Sequence, residues 1–222
     1  YKNITMQIHY LSEGNSVLNH FLGQIRNVNV HNDSMRFRRN IERIGEIMAY
    51  ELSKELHYKS VEIQTPLGIK NTTEIKDQLV LCSVLRAGLP LHLGFLNYFD
   101  SAENGFVSAF RHHPNNDDYF DILVQYQAIA DINGKNLIIV DPMLATGQSI
   151  VAVFNKLMER GTPKEIHIAV VIAAPEGIAH LEEHLPENCH LWVASLDEKL
   201  NEHSYIVPGL GDAGDLAYGE KL

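Results

Sequence analysis

The sequence predicts an α/β fold with a largely parallel central sheet. Three observations carry that expectation. Leu79–Val84, Leu137–Val140 and Ile166–Ala173 are apolar runs of the kind seen in strands covered on both faces. Helical patterns alternate with these runs. Arg86, Arg111 and Asp141 each fall just past a predicted strand, so all three would gather at one edge of the sheet. Ligands bind at that carboxyl edge in open parallel sheets.

The 222 residues suit one large domain, or one domain with an appendage. Hydrophobic residues at 45% and charged residues at 21% can build a sizeable core. The net charge of −10 argues against a general nucleic-acid or membrane-surface binder. A local Arg cluster can still hold phosphates. Cys82 and Cys189 are far apart in apolar runs and read as buried, reduced thiols, which suits a cytoplasmic protein. No apolar run approaches the roughly 18 residues needed to span a bilayer. The chain opens on Tyr1, consistent with a processed or trimmed start, and what is present carries no signal-peptide pattern.

In chain order, an irregular start precedes a helical stretch around Ser16–Ile25, with Val17, Leu18, Phe21, Leu22 and Ile25 on one face. Asn32, Asp33 and Ser34 offer N-caps for a long amphipathic helix carrying Ile41, Ile44, Met48, Leu52 and Leu56. Its Arg-rich first half, Arg36 to Arg43, reads as a solvated or interface face. Val61, Ile63 and Thr65 alternate with polar residues in a half-exposed strand that Pro66 ends. A helix around Leu89–Phe99 follows the Leu79–Val84 strand. Phe106–Phe110 and Tyr119–Tyr126 would make an antiparallel excursion around a polar loop, His112–Asp118. Later come a helix through Met158 capped by Gly161, a helix from Pro175 to about Leu185, and a short strand, Leu191–Ala194. The last twenty residues read as an ordered loop.

The central stretch is Leu137–Ile150, LIIVDPMLATGQSI. A buried strand stops at Asp141-Pro142, because proline cannot donate to a ladder. The small residues that follow leave room for backbone N–H groups and two hydroxyls around an anion, at the positive end of the next helix. It is not a Walker loop, since the spacing and the lysine are absent. Arg86, with Gly88 beside it, offers forked donors matched to phosphate; a turn-closing salt bridge is the simpler alternative. Gly209, Gly211 and Gly214 match G-x-G-x-x-G formally, yet too few residues follow for a βαβ unit. Such glycines imply unusual backbone angles or close approach to a ligand, where main-chain groups can read a flat polar heterocycle. His180-Leu181-Glu182-Glu183-His184 matches H-x-x-E-H. A wet helix side is its simpler reading, as it is for the His112-His113 loop pair.

Four segments resemble uracil phosphoribosyltransferases. Val140–Ser149, VDPMLATGQS, is similar to that family's phosphoribosyl-pyrophosphate signature, and Leu85–Leu89, LRAGL, resembles its pyrophosphate loop. Ala173–Ile178, AAPEGI, and Asn201–Asp215, NEHSYIVPGLGDAGD, resemble its later segments, the last being its uracil loop. The likeness runs in order from about Arg36 to Gly219.

The resemblance implies a type I phosphoribosyltransferase fold, a mainly parallel sheet flanked by helices with a small hood from the C-terminal segment. One domain would then span 1–222, with a helical part at about 1–58, a core at about 59–195 and a uracil-binding hood at about 196–222. The implied reaction converts uracil and phosphoribosyl pyrophosphate to UMP and diphosphate in pyrimidine salvage, with Mg2+ carried by the diphosphate and water. By motif, Arg86 and Arg111 would hold the diphosphate and Asp141 the ribose hydroxyls. Pro142, Met143, Leu144, Ala145, Thr146, Gly147, Gln148 and Ser149 would line the phosphoribosyl side, with Ala145–Ser149 around the 5′-phosphate. Ile206, Gly211, Asp212 and Ala213 would meet uracil, with Asp212 nearest the reacting centre; Asp141, Asp212 and Arg111 make the catalytic set. A cis non-proline peptide beside Arg86, a homodimer or higher homo-oligomer, and a nucleotide effector, GTP, also follow from the likeness, with no nucleic-acid or membrane partner.

The chain departs from the family pattern in four places. Gln148 stands where a second Gly is usual, and Leu216 where a basic residue is usual. The segment HHPNNDDYF after Arg111 and Pro90-Leu91-His92 also differ. Two other readings keep the same fold: transfer to another base, or a non-catalytic pyrimidine-sensing regulator.

Overall fold

The computed structural model describes residues 6–112 and 121–221, and the side chains of Phe110, Arg111, His112 and Asp121 lie outside that description. The elements begin with β1 (Gln7–Tyr10), α1 (Val17–Arg26), α2 (Ser34–Ser53), the hairpin β2 (Tyr58–Thr65) and β3 (Gly68–Ile75), then β4 (Leu79–Leu85) and α3 (Leu89–Leu96). Next come β5 (Glu103–His112), β6 (Asp121–Ile129), β7 (Asn136–Val140), β8 (Met143–Leu144) and α4 (Gln148–Met158). The chain closes with β9 (Glu165–Ala173), α5 (Pro175–His184), β10 (Cys189–Leu196), β11 (Lys199–Leu200), β12 (Ile206–Val207) and α6 (Ala213–Tyr218).

The three apolar runs lie side by side in one eight-stranded sheet of order β1-β10-β9-β7-β4-β5-β6, with β8 also paired to β9. Every pairing is parallel except β5 with β6, the expected antiparallel excursion. Strand alternation splits the core into two layers. Ile138 and Val140 of β7 join Phe37, Ile44, Met48 and Phe95 of α2 and α3. Leu137 and Ile139 turn to the other face and meet Val153, Leu157 and Leu181 of α4 and α5. Central strands are therefore buried on both faces and apolar at most positions, which is why they read as continuous runs.

Helix starts follow local chemistry. The Ser16 side chain accepts from the Leu18 N–H at 3.2 Å, while Asn19 accepts from the Ser16 N–H at 3.1 Å, a reciprocal cap on α1. Asp33 caps α2 by accepting from the Arg36 N–H at 3.1 Å. Four expectations need correction. The α4 C-cap is Glu159 rather than Gly161, because the helix ends in an ordinary right-handed residue and needs no glycine. The long helix ends at Ser53, short of Leu56, which a following turn carries into the core. The irregular start contains an edge strand, β1, aligned on β10. The C-terminal loop contains a six-residue helix, α6, because the Asp212 side chain caps it through the Asp215 N–H at 2.9 Å. Cys82 and Cys189 are unpaired and buried, and burial pushes both thiols up to about 12.

Candidate active site

A cleft of about 670 Å³ opens at the carboxyl ends of β4 and β7, where an open parallel sheet places its ligands. One wall is the chain leaving β7. The Asp141 N–H donates to the Ala169 carbonyl at 3.1 Å, and the Pro142 carbonyl accepts from Val171 and Ile172 N–H at 3.1 and 2.9 Å. The chain then rejoins β9 as β8, with Met143 opposite Ile172. Main-chain bonds thus pin the turn on both sides of Pro142.

The turn itself is Ala145-Thr146-Gly147. Gly147 has φ +81° and ψ −15°, a left-handed conformation that favours glycine, and it forms the N-cap of α4. No side chain caps that terminus. Its first-turn N–H groups point their partial positive charge at the cleft, ready for an anion.

Arg86 and the C-terminal segment supply the other side. The Leu85–Arg86 peptide is cis, as the resemblance implies. The Arg86 guanidinium lines the cleft, pairs with Asp215 at 3.1 Å and donates to the Gly219 carbonyl at 3.1 Å. Its Nε is buried with no partner among the described residues. Across from it, Gly209 and Gly211 have φ of +61° and +95°, the unusual angles their spacing implies. Gly214 instead lies inside α6.

The C-terminal wall pairs through β12 with β11, buries Ile206, Leu210 and Ala213, and is tied across to other elements by few polar side chains. Asp197 is buried and held by the forked guanidinium of Arg26, whose Nη1 also donates to the Gly209 carbonyl at 3.0 Å. The Gly209 N–H donates to the same Asp197 carboxylate at 2.8 Å. Arg38 donates to the Ala217 carbonyl at 2.6 Å, so part of the Arg-rich face of α2 serves this segment.

Among the described residues lining the cleft, two carboxylates, Asp141 and Asp212, share the space. Burial pushes the Asp141 carboxyl up to about 7. The Met143 N–H, at 3.4 Å, pulls it down, and the Asp212 charge adds to the rise. A carboxyl raised this way at a cleft is a mark of functional sites.

The structure brings most of the sequence-predicted residues to this cleft. Arg86, Asp141, Met143, Leu144, Ala145, Thr146, Gly147 and Ser149 line it, as do Ile206, Gly211, Asp212 and Ala213. Pro142 and Gln148 do not: Pro142 is buried against β9, and Gln148 is exposed at the start of α4, so its side chain does not fill the turn. The backbone of Arg111 lies opposite Ile122, and its side chain lies outside the described residues, as does the loop from 113 to 120. Sequence reasoning missed Ser204, Tyr205 and Lys221, which also line the cleft. A signal for the first two exists in Asn201, whose side chain accepts from His203 and Tyr205 N–H at 3.0 and 2.9 Å. That turn sets Ser204 at φ +62° and aims the chain back as β12.

The family model described as uracil phosphoribosyltransferase matches residues 12–220. The chain belongs to the uracil phosphoribosyltransferase family. A family member from Porphyromonas gingivalis is 50% identical over 217 residues, covering 98% of this chain and 100% of its own. One from Pyrococcus furiosus is 39% identical over 193 residues, covering 86% and 82%. A solved structure from Aquifex aeolicus superposes with a TM-score of 0.85 at 28% identity, covering 96% of this chain and 98% of that one. The mainly parallel sheet with helices on both faces is the type I phosphoribosyltransferase architecture.

Proposed function

We propose that the chain converts uracil and phosphoribosyl pyrophosphate to UMP and diphosphate in pyrimidine salvage. The observation that carries this reading is one cleft with two unlike walls. An uncapped helix N-terminus faces it on one side, and the main chain of Gly211–Ala213 on the other.

In this reading the N–H groups of Ala145–Ser149 hold the 5′-phosphate, and Asp141 accepts from the ribose hydroxyls. Arg86 and Arg111 meet the diphosphate. Uracil lies along Ile206, Gly211 and Ala213, where main-chain donors and acceptors match its edge. Cytosine would leave buried groups unpaired, and such mismatches discriminate strongly. In the reaction the bond from C1 of the ribose to the diphosphate oxygen breaks. The bond from C1 to N1 of uracil forms, and the N1 proton passes to water or the departing diphosphate. The sugar carries oxocarbenium character between these events, so the protein's work is alignment and charge neutralisation rather than nucleophilic attack.

The donor set fits Mg2+. The lining carboxylates are hard oxygen donors, and no His or Cys is among the described lining residues. Mg2+ held by the diphosphate and water would neutralise the leaving group, with these carboxylates near it.

The assembly and setting belong to the same proposal. A homodimer is supported by the β2–β3 hairpin, which leaves Ile63, Leu67 and Ile69 exposed. Two buried, unpaired thiols support a cytoplasmic setting, and no described helix is long and apolar enough to cross a membrane. GTP activation rests on the family resemblance alone. Incubation with phosphoribosyl pyrophosphate, Mg2+ and each of a panel of bases, with and without GTP, tests the reading. UMP from uracil, and little product from cytosine or purines, is expected. Folded protein that prefers another base, or turns over none, overturns it.

A further inference from the structure

The H-x-x-E-H segment is not used by the cleft, and none of its residues lines it. We propose that the outer face of α5 is a binding site for a divalent transition metal of the zinc class, formed by the imidazoles of His180 and His184 and the carboxylate of Glu183.

Positions i, i+3 and i+4 share one helix face. Here the ligand atoms of all three side chains lie within 4.8 Å of one another. The two rings already face each other, with centroids 4.0 Å apart and planes inclined by 35°. A solvated helix face has no need to bring two imidazoles together in this way.

The helix also sets the tautomer. The His184 Nδ1 lies 2.9 Å from the His180 carbonyl, which can only accept, so Nδ1 carries the proton and donates it. That leaves the Nε2 lone pair of His184 free for a metal, and it gives the ring the outer partner that metal-bound imidazoles usually have. His180 is oriented from its other side. A Cβ placed on Gly147 would lie 3.1 Å from the His180 Cδ2, so the ring rests against the turn that begins α4.

Two nitrogens, one carboxylate oxygen and open solvent make a three-ligand set with a free fourth position, the pattern of accessible zinc sites. Imidazole donors favour zinc, copper, nickel or cobalt over Mg2+, so this site and the cleft would select different ions. Glu183 and His184 are exposed and His180 is half-buried, so the metal would exchange with solution.

Competition of the full chain with a chromophoric chelator for Zn(II) tests the proposal, with Co(II) visible absorption as the spectroscopic signature. One saturable site per chain is expected. His184→Gln and His180→Gln should each weaken binding by about tenfold or more, and Glu183→Gln by less. Because His184 and Glu183 are exposed, their variants should fold normally, and His184→Gln alone decides the matter. A double variant, His112→Gln with His113→Gln, should bind as the wild type does. Wild-type affinity in the His184→Gln chain, or loss of binding in the His112/His113 variant, overturns the proposal.

Discussion

The turn wall of the cleft, Asp141–Ser149, is built into the central sheet by main-chain bonds, whereas the C-terminal wall, Ser204–Gly214, pairs through β12 with the short β11 alone and is tied to the rest of the molecule by a few side chains and three buried apolar residues. Pro142 and Leu144 anchor the first wall to β9 and the residue after it through three carbonyl bonds. The second depends on Arg26 and Asp197, on Arg38, and on Arg86 with Asp215. A wall of the first kind presents fixed donors to a charge that is the same in every substrate. A wall of the second kind, which adds only Ile206, Leu210 and Ala213 to the core, has fewer ties to break before it loosens. The difference predicts that substitutions in the two walls fail in different ways.

The largest effect is expected at Arg26→Ala. It leaves the Asp197 carboxylate buried without its cation, which should cost about 3–5 kcal/mol. Denaturant unfolding should show the loss, and the Gly209 turn should lose protection from hydrogen exchange before the turn wall does. Equal loosening of both walls would break the comparison.

Asp141→Asn comes next. It keeps the turn but removes the charge that would meet the ribose and the developing cation, so turnover should fall about a hundredfold. Stability should move the other way. The folded carboxyl, raised to about 7, holds its proton between about pH 4 and 7, while the unfolded one releases it near 3.9. The native state binds more protons across that window, so wild-type stability falls as pH rises through it. The variant lacks this loss and should be about 1–2 kcal/mol more stable than wild type above pH 7, with no advantage at pH 4. Unfolding curves at the two pH values measure it.

Arg86→Ala should raise the KM for phosphoribosyl pyrophosphate by about tenfold and leave that for uracil nearly unchanged. Stability should change by about 1 kcal/mol or less, because the Asp215 pair is partly exposed. Equal effects on both substrates would place this guanidinium on the wrong wall.

The smallest effect lies at the far end of the sheet and should touch neither wall. His167 is buried, accepts from the Trp192 indole N–H at 3.3 Å, and is held down to about 3, first by burial and then by His190 and His9. The unfolded imidazole gains a proton below about 6.5 and the folded one does not until about 3. Stability should therefore drop as pH falls through that window. His167→Gln should flatten the drop, with kcat and both KM values at neutral pH unchanged.

The same contrast explains what the sequence disclosed. Leu137–Val140 and Ile166–Ala173 were legible because both their faces are buried, so apolar residues fill every position but His167, itself buried. Asp141 and the small-residue turn followed from position alone. β3 was not legible: Gly68–Ile75 is mostly polar and exposed, and its strand character comes from pairing with β2. β1 is a four-residue edge strand, too short to carry a pattern. α6 is six residues long, too short for Ala213, Leu216 and Ala217 to show a period, and its own N-cap Asp212 together with Arg38 and Arg86 from elsewhere holds it. Gln148 stood out as a departure in the phosphate turn, yet it points away, because the first residue of α4 projects to solvent there. Tyr205 and Ser204 entered the site through a turn set by the Asn201 side chain, a cue that registers only when residues 201–205 are taken together.

Amide hydrogen exchange, with phosphoribosyl pyrophosphate and Mg2+ and then with UMP, tests the division of labour most directly. The account predicts that the first ligand protects the amides of Ala145–Ile150 and leaves Ile206–Ala213 nearly unchanged, and that UMP protects both. Protection of the C-terminal wall alone by phosphoribosyl pyrophosphate, or of neither wall by UMP, would contradict it.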